Sequence, residues 1–374
     1  MTHPLQQAET TAIREARRVM EVCNACRYCE GYCAVFPAME LRRRFSGGDL
    51  HYLANLCHSC RSCYYACQYA APHPFDLNPP RALADVRAET YQQFAWPAGF
   101  ARLLSRNGVV VSLVTSLSIA LLLLLAALLV SPQNLLGIHT GSGAFYAVVP
   151  YQAMVYPAAA ILLFGIAAMV IGFRRFWALS DHSLFTRHAW IQALKDVATL
   201  RYLGNDGPGC SYPDMAFSNT RRYFHQWVMY GFILCFAATA VATLYDHLFH
   251  WQAPYDYLSI PVVLGTLGGI GLMIGCGGLF WLKFIADPVP GAPGMLGMDV
   301  AFILLLFAVA LSGLILLALR ETSAMGLLLV VHLGFVLGFF LLLPYSKFVH
   351  AVYRLAALIR YAIEQRKAPE ARAE

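Results

Sequence analysis

Long apolar runs separated by polar segments occupy the chain beyond residue 106. Two of these runs, 109–130 and 301–319, contain no charged residue. About 20 apolar residues in a helix cross the hydrocarbon core of a bilayer, and the runs lack the alternation expected of a membrane β-barrel strand. The pattern therefore predicts an all-α fold whose membrane part is a bundle of six helices in a lipid bilayer. The predicted spans are 109–130, 151–173, 225–247, 258–283, 299–319 and 326–348.

Polar residues concentrate at the two ends of the chain and in the loop 174–224, which separates the second and third spans. The segments between and after the cysteine repeats described below have helical patterns and no β-rich pattern. We therefore expect an α-helical N-terminal domain of residues 1–106 and a membrane domain of residues 107–350. A basic tail, residues 351–374, follows the membrane domain.

Composition and charge support this division and orient it. Hydrophobic residues make up 59% of the chain and charged residues only 13%, which excludes a soluble globular protein. Residues 1–106 hold twelve of the 27 Lys and Arg and the loop 174–224 holds seven, whereas 131–150 and 248–257 hold none. Basic residues mark the cytoplasmic side of a membrane protein. Both termini are therefore predicted to be cytoplasmic, and nothing in the basic pattern indicates a nucleic-acid partner.

Eight cysteines lie in two copies of the spacing C-x2-C-x2-C-x3-C, "CNACRYCEGYC" at 23–33 and "CHSCRSCYYAC" at 57–67. The cytoplasm disfavours disulfides, so the thiols are predicted to bind metal. Zinc is one alternative, although zinc sites usually pair two C-x2-C units across a longer gap. The observed spacing is typical of ferredoxins that hold a [4Fe–4S] cluster.

In ferredoxins with two such runs, three cysteines of one run share a cluster with the last cysteine of the other run. We therefore expect two [4Fe–4S] clusters in the N-terminal domain. The predicted ligands of one cluster are Cys23, Cys26, Cys29 and Cys67. The predicted ligands of the other cluster are Cys57, Cys60, Cys63 and Cys33.

Four histidines in or beside the apolar runs are candidates for haem ligands, because polar side chains in a membrane span are costly and usually functional. His225 and His247 lie at the two ends of the third span, and His332 and His350 are 18 residues apart along the last one. Since these helices run in opposite directions, we predict a cytoplasmic pair, His225 with His350, and an outer pair, His247 with His332. Two facing pairs would bind one or two b-type haems. The alternative is that histidines at helix ends only occupy the membrane interface.

The sequence resembles the tricarballylate/citrate-utilisation protein B family. The segments that carry the resemblance are the two cysteine repeats, "GCSYPD", "RRYFHQWVMYGFILCFAATAVATLYDHL", "APYDYLSIPVVLGTLGGIG" and "HLGFVLGFFLLLPYSKFVHAVYRLAALIRY". The N-terminal part also resembles the α-helical ferredoxin module of succinate dehydrogenase iron–sulfur subunits. The resemblance implies that the cysteines carry iron–sulfur clusters and that His225, His332 and His350 are haem ligands.

The family implies a function as well. It passes electrons from the reduced FAD of a separate tricarballylate dehydrogenase to acceptors in the membrane. This chain has no flavin or nicotinamide motif, so an FAD-dependent dehydrogenase subunit is the expected partner. We therefore predict an electron-transfer subunit of the bacterial inner membrane that delivers electrons through two clusters and b haem to the quinone pool.

Two alternatives to this function remain. In the first, electrons flow in reverse, from quinol to a cytoplasmic reductase, because the sequence does not determine the reduction potentials of the cofactors. Alternatively, the cysteines bind zinc, and the protein is a membrane sensor or transporter whose histidines conduct or sense protons.

Overall fold

The computed structural model describes residues 9–180, 186–204 and 209–372 of this chain. Helices dominate those ranges. The N-terminal domain contains α1 (Thr11–Cys26), α2 (Val35–Glu40), α3 (Gly47–Leu56), α4 (Ser62–Tyr65) and α5 (Pro79–Gln93). Later helices are α6 (Asn107–Leu129), α7 (Pro132–Leu136), α8 (Tyr151–Trp177), α9 (Arg187–Thr199), α10 (Thr220–Phe249), α11 (Ile260–Ile285), α12 (Pro293–Leu319), α13 (Met325–Leu342) and α14 (His350–Arg372). Two short strands, β1 (Cys210–Ser211) and β2 (Phe217–Ser218), pair antiparallel ahead of α10.

Side-chain caps fix where the helices of the N-terminal domain begin. Thr10 caps α1 by accepting a hydrogen bond from the backbone N–H of Ile13. Ser46 and Asp49 form a reciprocal capping box at the start of α3. These helices surround an apolar core. Cys26 is the last residue of α1, Cys57 directly follows α3, and Cys63 lies in the short helix α4. Cys29, Cys33 and Cys60 lie in the loops that follow α1 and α3. Helix ends and the short loops after them therefore present most of the thiols.

Within the described residues, six helices are long and apolar enough to cross a membrane. They correspond to the six predicted spans, so the prediction of a helical multi-pass membrane protein is confirmed. They are Asn107–Leu129, Tyr151–Trp177, Thr220–Phe249, Ile260–Ile285, Pro293–Leu319 and Met325–Tyr345.

Helices α10 and α11 approach each other through glycines. A Cβ atom at Gly231 would lie 2.8 Å from the carbonyl oxygen of Gly268, and a Cβ at Gly268 would lie 2.8 Å from that of Gly231. Neither position therefore accepts a side chain without separating the helices. Small residues commonly allow such close backbone contact between membrane helices.

The end of the last span differs from the prediction. α13 ends at Leu342. The 3-10 turn Leu343–Tyr345, which contains Pro344, follows it, and α14 begins only at His350. Proline has no N–H to donate and its ring clashes with the preceding turn, which ends the helix. The prediction of one continuous helix through His332 and His350 is therefore wrong.

The last part of the chain also has more structure than the predicted basic tail. α14 packs against α3 and α9. The carboxylate of Glu364 on α14 is buried and pairs with Arg42 of the N-terminal domain at 2.6 Å and with Arg360 at 2.9 Å. α14 therefore attaches the N-terminal domain to the membrane bundle.

Candidate functional site

The cysteines of the two repeats surround two neighbouring small cavities. Phe36 contributes to the apolar wall of both. The thiols that line the first cavity are those of Cys23, Cys26, Cys29, Cys63 and Cys67. The thiols that line the second cavity are those of Cys33, Cys57, Cys60 and Cys63. The structure thus gathers all eight predicted cysteines at two adjoining sites.

The last cysteine of each repeat lies at the cavity of the other repeat, Cys67 at the first and Cys33 at the second. This placement fits the exchange of fourth ligands, which stays a prediction. Each cavity has at least four sulfur donors around it, and four thiolates are the number that a [4Fe–4S] cluster requires. Among the residues that the structure describes, no three His, Cys, Asp or Glu side chains are placed to hold a single metal ion.

Burial affects the protonation of these thiols. Burial, and then the charge of neighbouring cysteines, raises the pKa of Cys23 and of Cys29 to about 12. Only a thiolate binds iron, so ligation has to release these protons and positive charge has to stabilise the thiolates. Cys60 differs, because a hydrogen bond with Cys210 lowers its pKa. Cys210 lies outside both repeats and is fully buried.

His225 and His350 lie together, as the sequence predicted. Their ring centroids are 6.1 Å apart, with an interplanar angle of 67°. Two imidazoles on opposite faces of one metal ion have ring centres roughly 6 Å apart, given metal–nitrogen bonds of about 2 Å. Nδ1 of His350 lies 2.5 Å from the carbonyl oxygen of Lys347. A neutral ring that donates this hydrogen bond from Nδ1 has an unprotonated Nε2, which is free to bind a metal. The buried Nδ1 of His225 has no hydrogen-bond partner in the described structure.

A cavity of about 330 Å³ connects this histidine pair to the second cysteine repeat. Its wall includes His58, Ser59 and Arg61 of the repeat, and also His225 and His350. Apolar side chains from the membrane helices line another part of it, namely Val228, Leu279, Leu282, Met295, Phe302, Ile303 and Leu306. The basic residues in its wall are Arg61, Arg87, Arg221, Lys283, Lys347 and Arg354. Asp287 and Asp299 also line the cavity, and Asp299 pairs with Lys283 and Lys347, so the excess positive charge comes from the arginines. Apolar and cationic walls together suit an amphipathic anion such as haem.

The structure does not bring the predicted outer pair into contact. His332 Nδ1 is hydrogen-bonded to Ser312 Oγ on α12 at 3.0 Å. His247 Nε2 lies 3.3 Å from the hydroxyl of Tyr151 on α8, and its side chain is 56% exposed. No ring contact joins the two histidines in the described part of the chain, so their role as a haem pair stays a prediction without a geometric argument.

Comparison with known proteins shows the family. The family model described as "Citrate utilization protein B" matches residues 102–372, and the model described as "Citrate utilization protein B Fer4-like domain" matches residues 16–93. The chain belongs to the citrate utilization protein B family. A relative in Escherichia coli, Citrate utilization protein B, is 47% identical over 364 residues, which are 96% of this chain and 94% of the relative. No solved structure matches.

In this member of the citrate utilization protein B family, the Fer4-like match contains both cysteine repeats and the helices that position them. The match and the clustered thiols together indicate iron–sulfur cluster binding. The second match covers the six candidate membrane helices and α14. The family assignment from the sequence is therefore confirmed.

Sequence reasoning missed the polar residues that surround the second cysteine set. Arg87, Arg221 and Arg354 lie far apart in sequence and meet only in the folded chain, where all three line the large cavity. In the sequence they were counted as part of the basic cytoplasmic side. Cys210 lies outside both cysteine repeats and is buried beside Cys60. Its sequence context, "GPGCSYPD", has no ligand spacing that would indicate this position.

Proposed function

We propose that this protein is a membrane electron-transfer subunit. Electrons from the reduced flavin of a partner dehydrogenase pass through two [4Fe–4S] clusters and b haem to quinone. The observation that carries the proposal is the continuity of the sites: the cavity beside His225 and His350 is also lined by His58 and Arg61 of the second cysteine repeat. One path therefore leads from the cysteine domain into the membrane bundle.

The cysteines have the role of thiolate ligands. Cys23, Cys26, Cys29 and Cys67 would hold one cluster, and Cys57, Cys60, Cys63 and Cys33 the other. The two cavities adjoin, since Cys63 lines both. Clusters held there would be close enough for one-electron exchange between them. Cys57 and Cys60 are buried, and the other six cysteines of the repeats are half-buried.

His225 and His350 would hold haem, which would supply one-electron chemistry there. The hydrogen bond from His350 Nδ1 to the Lys347 carbonyl orients the ring and keeps Nε2 available. Burial, followed by the charges of Arg354 and Lys347, lowers the pKa of His350 well below its usual value. The ring is therefore neutral at physiological pH, as a ligand must be. His332 and His247 remain predicted ligands of a second haem.

The family and the charge distribution support a proposal for the partner and the location. The name of the relative, Citrate utilization protein B, refers to citrate utilization, so we propose a partner dehydrogenase, dependent on FAD, that oxidises citrate-like tricarboxylates such as tricarballylate. The basic residues on one side of the membrane support cytoplasmic termini in a bacterial inner membrane. The quinone would accept electrons within the bilayer.

The test is a cofactor analysis of the full chain, purified in detergent without oxygen. We expect about eight cluster irons with matching acid-labile sulfide, because each cubane has four, and additional haem iron by the pyridine haemochrome assay. Dithionite should reduce both cofactors, and added quinone should reoxidise them. Bound zinc without labile sulfide would reject the proposal in favour of the sensor or transporter.

A further inference from the structure

Three arginines from three different helices surround the backbone of residues 54–59, which leads into the second cysteine repeat. Arg87 on α5 and Arg354 on α14 both donate to the carbonyl oxygen of Cys57, at 2.7 and 2.9 Å. Arg221 on α10 donates to the next two carbonyl oxygens, at 3.1 and 2.8 Å. We call Arg87, Arg221 and Arg354 the arginine clamp.

The charges of the arginine clamp lack carboxylate partners. Within residues 9–180, 186–204 and 209–372, none of its three members forms an ion pair, and Arg87 is only 5% exposed. Arg221 and Arg354 are half-buried, and an arginine side chain keeps its charge in proteins. Like charges that are buried or half-buried beside one another are costly unless an anion offsets them.

The thiolate-ligated cluster of the second cysteine set would be this anion. Four thiolates give a [4Fe–4S] cluster a net negative charge, and one-electron reduction adds another. Cations nearby stabilise the reduced form more than the oxidised form, which raises the reduction potential. No Arg or Lys lines the first cavity, whose polar neighbours in the described structure are Tyr28, Gln68 and Tyr69. Arg61 lines the second cavity, and the arginine clamp donates to the carbonyl oxygens of residues 57–59 beside it.

We infer that the arginine clamp raises the reduction potential of the second cluster above that of the first. This inference rests on the proposed function and makes the second cluster the exit toward His225 and His350. One electron leaves the first cluster, which is oxidised, and reduces the second; no bond or proton changes. Because the clamp joins α5, α10 and α14, the same contacts fix the distance between the cysteine domain and the histidine pair.

The test is an EPR-monitored redox titration of the full chain in detergent, with Arg221→Gln and Arg221→Lys. Arg222→Gln is a matched control. Arg222 is adjacent on α10 and also donates to a backbone carbonyl oxygen, that of Thr199, at 2.8 Å. Its hydrogen bond is exposed, however, and lies away from the cysteine repeats. Cys60→Ser identifies the EPR signal of the second cluster. We expect Arg221→Gln to lower the ratio of reduced to oxidised second cluster tenfold at a fixed potential. This change is equivalent to a decrease of about 59 mV in the reduction potential of that cluster, for one electron.

Arg221→Lys keeps the charge and should retain most of the potential, and Arg222→Gln should change neither cluster. Equal shifts in the Gln and Lys variants, equal shifts in both clusters, or no shift would overturn the inference. If Arg221→Gln does not accumulate, Arg354→Gln and Arg354→Lys give the same comparison. A wild-type protein without two EPR-active clusters would instead reject the proposed function.

Discussion

Single residues of the cysteine repeats are adapted to a buried anionic cofactor. Cys33 is a clear example, because burial, followed by the charges of Cys60 and Cys57, raises its pKa well above the usual value. A free thiolate is therefore unfavourable there, and iron has to provide the compensating charge. The position of Cys33 at the second cavity, although it belongs to the first repeat, makes its ligation testable.

Cys33→Ser should perturb the cluster that Cys57, Cys60 and Cys63 hold. A serine oxygen is a poorer ligand than a thiolate, so we expect a changed or lost EPR signal for that cluster and an intact signal for the other. Cys235→Ser is the control, because this thiol lies on α10 among apolar residues of the bundle. A perturbation limited to the cluster of Cys23, Cys26 and Cys29 would show that each repeat completes its own site.

The spacing of the cysteines was sufficient to predict that they gather in two sets, because three of the four predicted ligands of each cluster follow one another at intervals of three residues. The arginine clamp was not predictable. Arg87, Arg221 and Arg354 are separated by more than a hundred residues and share no local pattern, and their role depends on tertiary packing. The positive-inside rule already accounts for a basic residue beside a membrane span. The sequence therefore gave no separate reason to expect a specific contact of these arginines.

At the scale of elements, the six spans were predictable because their length and apolarity are fixed by the bilayer. The break after α13 was missed, since the apolar pattern continues past Pro344 and His350 fits the same helical phase. The structure instead starts a new helix at His350 and still places this residue beside His225. The histidine pair was therefore predicted correctly from a helix that is not continuous.

One buried carboxylate contributes to the attachment of α14, so Glu364→Ala should weaken this attachment. Glu364 accepts hydrogen bonds from Arg42, Arg360 and the hydroxyl of Tyr52. Asp49 still pairs with both guanidinium groups after the change, at 2.7 and 3.1 Å, so the cost should lie below the about 3–5 kcal/mol of a buried charge left without any partner. We expect a lower melting temperature in detergent and faster proteolysis within α14.

Glu321→Ala is the control for this change. Glu321 has a 61% exposed side chain and pairs with Arg320 at 3.9 Å. Surface pairs of this kind contribute at most about 1 kcal/mol, so the melting temperature should hardly change. Similar losses in both variants would mean that Glu364 has no special part in attaching α14 to the N-terminal domain.

At the scale of the whole molecule, the sites are arranged in sequence from the cysteine domain to the membrane. The first cysteine cavity adjoins the second, and the large cavity extends from the second repeat to the ends of the membrane helices near His225 and His350. α14 contributes both His350 to the histidine pair and Arg354 to the arginine clamp. One helix therefore contributes to both sides of the junction in the proposed electron path.

This junction gives the last prediction, in which His350→Ala interrupts the path between clusters and quinone. The substitution removes one of two facing imidazoles, so a haem held between His225 and His350 should be lost or become high-spin. The clusters should stay intact, because His350 has no contact with the eight cysteines in the described structure. Dithionite should then still reduce the clusters, while their reoxidation by quinone should fall at least tenfold.

His332→Ala is the matched comparison, since His332 is also a buried histidine but is hydrogen-bonded to Ser312 within the bundle. If one haem is bound, its content by the pyridine haemochrome assay should fall in His350→Ala and persist in His332→Ala. If two are bound, each variant should lose a different one, and His247→Ala should match His332→Ala. Haem content and quinone reduction that are unchanged in His350→Ala would reject the histidine pair as the haem site, whatever the outcome for His332.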